Sequence, residues 1–252
     1  MNIGAQMYTL RMYTQNEKDL RRCLKKVSEI GYTEVQLSAI GPIAPERVKA
    51  LCDEYGLSIV LTHTPPDRIL NDTKAVIEEH RLYGADYIGL GMMPEKYLSE
   101  EWFPHFKKDF KEAAKEIAAA GKLLMYHNHD IEFEKRGGGR IIERLAEDFT
   151  EQELGFTFDT YWVQAAGGDP VLWIKKLKGR IPCIHLKDME TRGRKSLMAP
   201  VLEGNMNFKG ILDAVKAQGG TEHLLVEQDY CQESPFICLE KSYKNLAKLG
   251  YK

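Results

Sequence analysis

No stretch of the chain approaches the roughly 20 consecutive apolar residues that a membrane-spanning helix needs. No basic leader with an apolar segment precedes the first strand-like residues, so a soluble, cytoplasmic protein without a membrane partner is expected. An excess of charge of one sign is also missing. The net charge of −2, from 35 Lys+Arg against 37 Asp+Glu, gives no broad electrostatic pull toward nucleic acid. The five cysteines (Cys23, Cys52, Cys183, Cys231, Cys238) are odd in number and form no CxxC pair. Cys183 lies in an apolar run and Cys23 and Cys52 in helical patterns, which reads as buried free thiols in a reducing cytoplasm. There is no GxGxxG and no P-loop, and Gly137-Gly138-Gly139 matches neither, so nucleotide-binding α/β folds have no motif support. Linkers, low-complexity tracts and shifts of composition are absent as well.

What is present is a repeat of strand-like and helix-like segments. Ile3–Tyr8 predicts a first strand; Asn16 then caps a helix whose Leu20, Cys23, Leu24, Val27 and Ile30 recur at helical spacing before Gly31. Thr33–Leu37, Ser58–His63 and Asp86–Gly91 predict strands two to four. The helix after strand two starts at Pro45, a residue suited to a first helical turn, and the next runs from near Asp72 to Gly84. A longer helix from about Ser99 to Ala120 carries Trp102, Phe106, Phe110, Ala113 and Ile117 on its apolar stripe. Strands five to eight follow at Leu123–His127, Phe156–Asp159, Cys183–His185 and Leu224–Glu227, with helical patterns near 141–148, 170–177, 208–217 and 236–249. Eight strand–helix units without a break predict parallel strands with right-handed crossovers, closed into a (β/α)₈ TIM barrel, and residues 1–252 read as a single domain.

Strands five to eight share a second feature. Each apolar run ends in a residue able to hold a metal or move a proton: His127, Asp159, His185 and Glu227. In such barrels the C-terminal strand ends face one site. Any one of these side chains could merely cap the next helix or bond a loop; four in register on successive strands indicate a shared centre. Two imidazoles and two carboxylates suit one divalent cation, Mn²⁺, Zn²⁺ or Co²⁺ (Fe²⁺ is also compatible), rather than Ca²⁺. Alternation puts His127 and His129 on one face of strand five and Tyr126 and Asn128 on the other, leaving open which imidazole is the ligand.

Tyr126-His127-Asn128-His129 with Glu132-Phe133, Phe158-Asp159-Thr160-Tyr161-Trp162, His185-Leu186-Lys187-Asp188 and Glu227-Gln228-Asp229 together resemble the xylose-isomerase-like superfamily of sugar isomerases and epimerases. That group includes inosose dehydratases and ketose 3-epimerases, and the resemblance covers essentially the whole chain. It implies a TIM barrel with one divalent cation and a small sugar or cyclitol substrate; a homo-oligomer is compatible with it. The superfamily's usual ligands are Glu, Asp, His and Glu on strands five to eight. Asp159, His185 and Glu227 match the last three, whereas His127 stands where relatives carry the first glutamate. Ketose epimerases trade a proton between the two glutamates. A histidine is poorly suited to binding metal and shuttling a proton at once, which favours abstraction from one face, with Glu227, His127 or His129 as base.

Further candidates for the substrate pocket are Gln6 and Tyr8 on strand one, Gln36 on strand two and His63 on strand three. Trp162 would form an apolar wall, with stacking on a sugar face as the alternative. Lys187 would polarise an oxygen or anchor a negative group, or else remain a solvated loop lysine. Glu203-Gly204-Asn205 resembles a Gly-Glu-Gly-Asn turn that closes near the site in relatives, with Leu202 in place of the first glycine. The basic, glycine-broken segment 191–195 reads as a solvated loop, with phosphate binding as the lesser alternative.

The expected function is a metal-dependent sugar or keto-sugar isomerase, epimerase or dehydratase, abstracting a proton next to a carbonyl to form a metal-stabilised enediolate. A sugar-binding barrel without turnover, as the accessory subunit of a larger enzyme, is the alternative. An abasic-site endonuclease is a lesser one. That chemistry needs extra imidazoles where this chain has Gly89, Gly91 and Trp162, and its net charge does not favour DNA.

Overall fold

The computed structural model describes residues 1–101 and 103–252. Its core is a closed barrel of eight parallel strands: β1 (Asn2–Gln6), β2 (Glu34–Leu37), β3 (Ser58–His63), β4 (Tyr87–Leu90), β5 (Leu123–His127), β6 (Leu154–Asp159), β7 (Cys183–Leu186) and β8 (His223–Val226). Each strand pairs with its neighbours in the chain, and β8 closes on β1 through Asn2↔His223 to Ala5↔Val226. The (β/α)₈ expectation therefore holds.

Helices pack around the barrel: α1 (Glu17–Ile30), α2 (Pro45–Glu54), α3 (Pro66–Asn71), α4 (Thr73–Tyr83), α5 (Phe103–Ala119), α6 (Ile141–Asp148), α7 (Thr160–Ala165), α8 (Pro170–Lys176), α9 (Phe208–Gln218) and α10 (Pro235–Lys248). Local chemistry sets their ends. Asn16 Oδ1 accepts from the Asp19 N–H at 3.0 Å to cap α1, and Gly31, at φ +120°, stops it. The α1 stripe Leu20, Cys23, Leu24 and Val27 is buried against the barrel. On α5, Phe106, Phe110, Ala113 and Ile117 are buried as their spacing predicts; Trp102 lies outside the described residues. No helix among the described residues is long and apolar enough to cross a membrane.

Three departures from the expected elements matter for the site. The first strand stops at Gln6, and a 3₁₀ helix over Met7–Tyr13 carries Tyr8. The Gln6 side chain causes the break by accepting from the Tyr8 N–H at 3.1 Å. Residues 191–195, expected as a loop, belong to an antiparallel ribbon in which Asp188–Arg192 pairs with Lys195–Ala199. Its two-residue turn starts with Gly193 at φ +64°, a conformation that glycine adopts without strain. Finally, α7 follows β6 directly, because Asp159 Oδ1 accepts from the Trp162 N–H at 3.1 Å and starts the helix.

Inside the barrel, small residues make room for large ones. A Cβ at Gly4 would stand 2.6 Å from Leu225 Cδ2, and one at Gly155 would stand 2.8 Å from Met125 Sδ. Met125, Cys183, Leu225, Val60 and Leu61 form an apolar cluster separate from the main core. The residues able to hold a metal (His127, Asp159, His185 and Glu227) gather at the C-terminal ends of the strands.

Candidate active site

Strand register delivers the four expected ligands to one place. Asp159 is the Cα partner of His185, His185 is the partner of Leu225 two residues before Glu227, and His127 is the partner of Thr157 two residues before Asp159. With a side-chain period of two, all four point into the barrel. One donor atom from each of His127, Asp159, His185 and Glu227 lies within 4.8 Å of every other, and all four residues are buried. Asn128, on the opposite face of β5 from His127, holds Asp159 from behind: its Oδ1 accepts from the Asp159 N–H at 2.9 Å.

The tautomers of both histidines follow from their outer partners. His127 Nδ1 donates to the Gly91 carbonyl at 2.8 Å, which leaves Nε2 facing Asp159 Oδ2 at 3.2 Å. His185 Nε2 donates to Gln36 Oε1 at 2.6 Å, which turns Nδ1 toward Glu227 Oε2 at 2.8 Å and Asp159 Oδ2 at 3.7 Å. An imidazole held through one nitrogen by a carbonyl, with the other aimed at carboxylates, is the arrangement a metal-ligating histidine requires. The donor set therefore fits a divalent cation. His129 is the lesser candidate. Its ring lies edge-on to His127, 4.6 Å between centroids, and beside Trp162 at 5.2 Å, with Nδ1 buried and unpartnered.

Lys187 is no solvated lysine. It is fully buried, with Nζ 2.9 Å from Glu227 Oε2, 3.0 Å from Asp159 Oδ2 and 3.0 Å from Asp229 Oδ1. Three carboxylates around one ammonium leave negative charge for a divalent ion to neutralise. Burial works against charge on Asp159 and Glu227, but Lys187 and the imidazoles outweigh it and hold both well below the usual carboxylate range. For Lys187, burial is likewise outweighed by Asp159, Glu227 and Asp229, so the ammonium is held above its ordinary value. Burial, reinforced by neighbouring His127, drives His129 down to about 3 and keeps it neutral.

Above this centre opens a cavity of about 320 Å³ lined by Tyr8, His63, His127, His129, Trp162 and Glu227, among others. Polar atoms without partners surround the same region: Gln6 Nε2, Gln36 Nε2, His63 Nε2 and Trp162 Nε1 are all buried and unsatisfied. Such groups are costly unless a ligand or water meets them.

Glu203 is not part of this assembly. It turns to α10, where Asn245 Nδ2 donates to Oε1 at 3.3 Å and Lys241 lies 3.8 Å away. Asp188 is the cause. Its carboxylate gathers the N–H groups of Leu202 and Gly204 at 3.0 Å and Met206 at 3.3 Å, and the resulting turn presents Glu203 to the helix. Asn128, Asp188 and Asp229 shape the site without having a role expected from the sequence. They stand one, three and two positions from His127, His185 and Glu227 inside the same motifs, the signal by which they could have been found.

Fold and centre together define a TIM barrel with a mixed imidazole–carboxylate pocket at its C-terminal face. The chain belongs to the xylose isomerase-like TIM barrel family, whose model matches residues 24–236. It is similar to an inosose dehydratase of Lacticaseibacillus casei, with 24% identity covering 91% of this chain and 89% of that protein. Among solved structures, a sugar phosphate isomerase/epimerase from Parabacteroides distasonis superposes with a TM-score of 0.81 at 23% identity, covering 97% of this chain and 93% of the other. An L-ribulose 3-epimerase superposes with a TM-score of 0.75 at 18% identity, covering 99% and 94%.

Proposed function

We propose that the protein is a divalent-metal-dependent enzyme that removes a proton from the carbon next to a carbonyl of a sugar, keto-sugar or cyclitol. The outcome is isomerisation, epimerisation or loss of a β-hydroxyl. The observation that carries this reading is the convergence of His127, Asp159, His185 and Glu227 within 4.8 Å of one another beneath a cavity of about 320 Å³, a volume suited to a small polyol. The names of the relatives, an inosose dehydratase and a ketose epimerase, support the same substrate class.

His127 Nε2, Asp159 Oδ2, His185 Nδ1 and Glu227 would hold the ion. When bound, it polarises a hydroxyl–carbonyl pair and acidifies the C–H between them. Glu227, whose carboxylate lines the cavity, takes the proton. Lys187, fully buried among the carboxylates, holds Asp159 and Glu227 in place as ionised groups. His63 and Trp162, whose unpartnered polar atoms lie in residues that line the cavity, would meet substrate hydroxyls, with Gln6 and Gln36 buried beneath them. Facing Glu227 across the centre is His127, whose Nδ1 is committed to Gly91. The β5 position opposite Glu227 thus carries an imidazole and not a second carboxylate, which favours single-face proton abstraction over two-faced exchange.

Elemental analysis of protein purified without chelator, followed by deuterium wash-in from D₂O into a panel of ketoses, inososes and 3-keto-glycosides, tests the reading. We expect exchange at one carbon of at least one compound, and Glu227→Gln should lower it on the order of 10²-fold or more while the fold survives. Undiminished exchange in that variant would remove Glu227 from the chemistry. A metal-replete sample that is inert toward the panel, yet thermally stabilised by one member, would make the protein a binding barrel instead.

A further inference from the structure

A second cavity, of about 680 Å³, opens beside the first and shares His63, Gly91 and Met92 with it. Gly91 lets the chain pass close to His63 where the two cavities meet: a Cβ there would approach His63 Nδ1 to 3.0 Å. The walls are the segments that follow β3 and β4, and their chemistry differs sharply from that of the polar centre. Pro65, Pro66 and Pro94 have no N–H to offer. Much of the remaining backbone is already engaged: the Thr64 N–H donates to the Gly89 carbonyl at 2.7 Å, the Pro65 carbonyl accepts from Arg68 and the Pro94 carbonyl accepts from Tyr97. Leu90, Met93 and Leu98 supply apolar surface, and among the described residues Glu95 is the lone charged side chain of the lining. Met92, which lines both spaces, is 60% exposed.

Apart from His63, Thr64 and Glu95, such a groove offers few partners to the hydroxyls of a second sugar ring, whose burial without partners would be costly. It does suit an apolar group. The prolines stiffen its walls in advance, so little ordering entropy is lost on binding, and a methionine thioether packs well on an aromatic face. We propose that this groove is a subsite for an apolar, preferably aromatic, substituent on the ring held in the first cavity. The substrate is then a glycoside or aryl-substituted cyclitol rather than a free sugar. The proposal rests on the carbohydrate reading above and specifies which carbohydrates.

Calorimetric titration of the manganese-supplemented protein with phenyl glucoside, methyl glucoside and a glucose disaccharide, each as α and β anomers, tests it. In one anomeric series phenyl should bind on the order of 30-fold more tightly than methyl, which corresponds to about 2 kcal/mol, and more tightly than the disaccharide. Met92→Asp, at an exposed position that tolerates charge, should reduce the phenyl-to-methyl ratio below about 3-fold by placing a carboxylate beside the ring. Equal binding of phenyl and methyl, preference for the disaccharide, an unchanged ratio in Met92→Asp, or no binding by any probe would each overturn the subsite. The wash-in assay on free ketoses and inososes is independent of the groove. Exchange there without phenyl preference sinks the subsite alone, and phenyl preference without exchange anywhere in the panel sinks the enzymatic reading alone.

Discussion

Lys187 shows how one side chain sets the character of the centre. A fully buried ammonium is tolerated only when its charge is met, and here Asp159, Glu227 and Asp229 all lie within about 3 Å of it. The dependence is mutual, because without the ammonium Asp159 and Glu227 would face one another as buried like charges. Lys187→Met should therefore cost about 3–5 kcal/mol in chelator-treated protein, seen as a lower urea midpoint at pH 7. A divalent ion placed on the same carboxylates would return part of that loss, so manganese should stabilise the variant more than the wild type. Equal midpoints for the two proteins in chelator would show that the carboxylates do not need this partner. Asp159 makes a related point about what one residue can do. Its Oδ1 caps α7 while its Oδ2 faces His127, His185 and Lys187, so the helix-cap role and the site role coexist in one carboxylate.

At the scale of elements, α4 is fastened to β3 by a buried histidine. His80 Nδ1 donates to the Val76 carbonyl at 2.7 Å, and its Nε2 pairs with Thr62 Oγ1 at 2.9 Å. Burial lowers its pKa from the ordinary 6.5 to about 4, so the folded protein holds it neutral where the unfolded chain would protonate it. Between those values the unfolded state binds more protons, and stability from this residue is lost as pH falls. The expected loss between pH 7 and pH 5 is about 2 kcal/mol. His80→Gln, which keeps a hydrogen-bonding amide and cannot titrate, should lose that much less over the same interval in urea titrations; identical slopes for both proteins would contradict the assignment. Elements of this kind were only partly legible in the sequence. Strand ends were readable because an apolar run that stops at His, Asp or Glu marks the mouth of a site, and register did the rest. The short α3 and α7 were not, since six residues are too few to show helical periodicity and α7 owes its start to an aspartate already read as a ligand. Glu203 was misplaced because the turn that carries it is shaped by Asp188, fourteen to eighteen residues away from the N–H groups it gathers.

For the molecule as a whole, closing the barrel divides its interior into two polar ends separated by an apolar middle. At the C-terminal end lie the candidate ligands with unpartnered atoms around them; at the N-terminal end the buried carboxylate of Glu34 is matched at both oxygens. Glu34 is buried there, with Oε1 accepting from Asn2 Nδ2 at 2.6 Å and Oε2 paired with His223 Nδ1 at 2.7 Å, so that β1, β2 and β8 are tied across the seam where the sheet closes. Satisfied groups stabilise and unsatisfied ones await a ligand, so the two ends should respond differently to substitution. His223→Leu leaves one oxygen of a buried carboxylate without its partner and should lower stability by about 1–3 kcal/mol. Its manganese affinity, measured by titration of the folded protein, should stay within about 2-fold of wild type, because sites that share no partners act independently. Asp159→Asn should do the reverse at the other end: removing one negative ligand should weaken manganese binding at least on the order of 10-fold. In chelator it should lower stability less than Lys187→Met does, since the amide still caps α7 and one of the carboxylates around the ammonium is gone. If His223→Leu instead weakened manganese binding as much as Asp159→Asn, the two ends would be coupled through the strands, and the barrel could not be divided into a structural floor and a chemical rim.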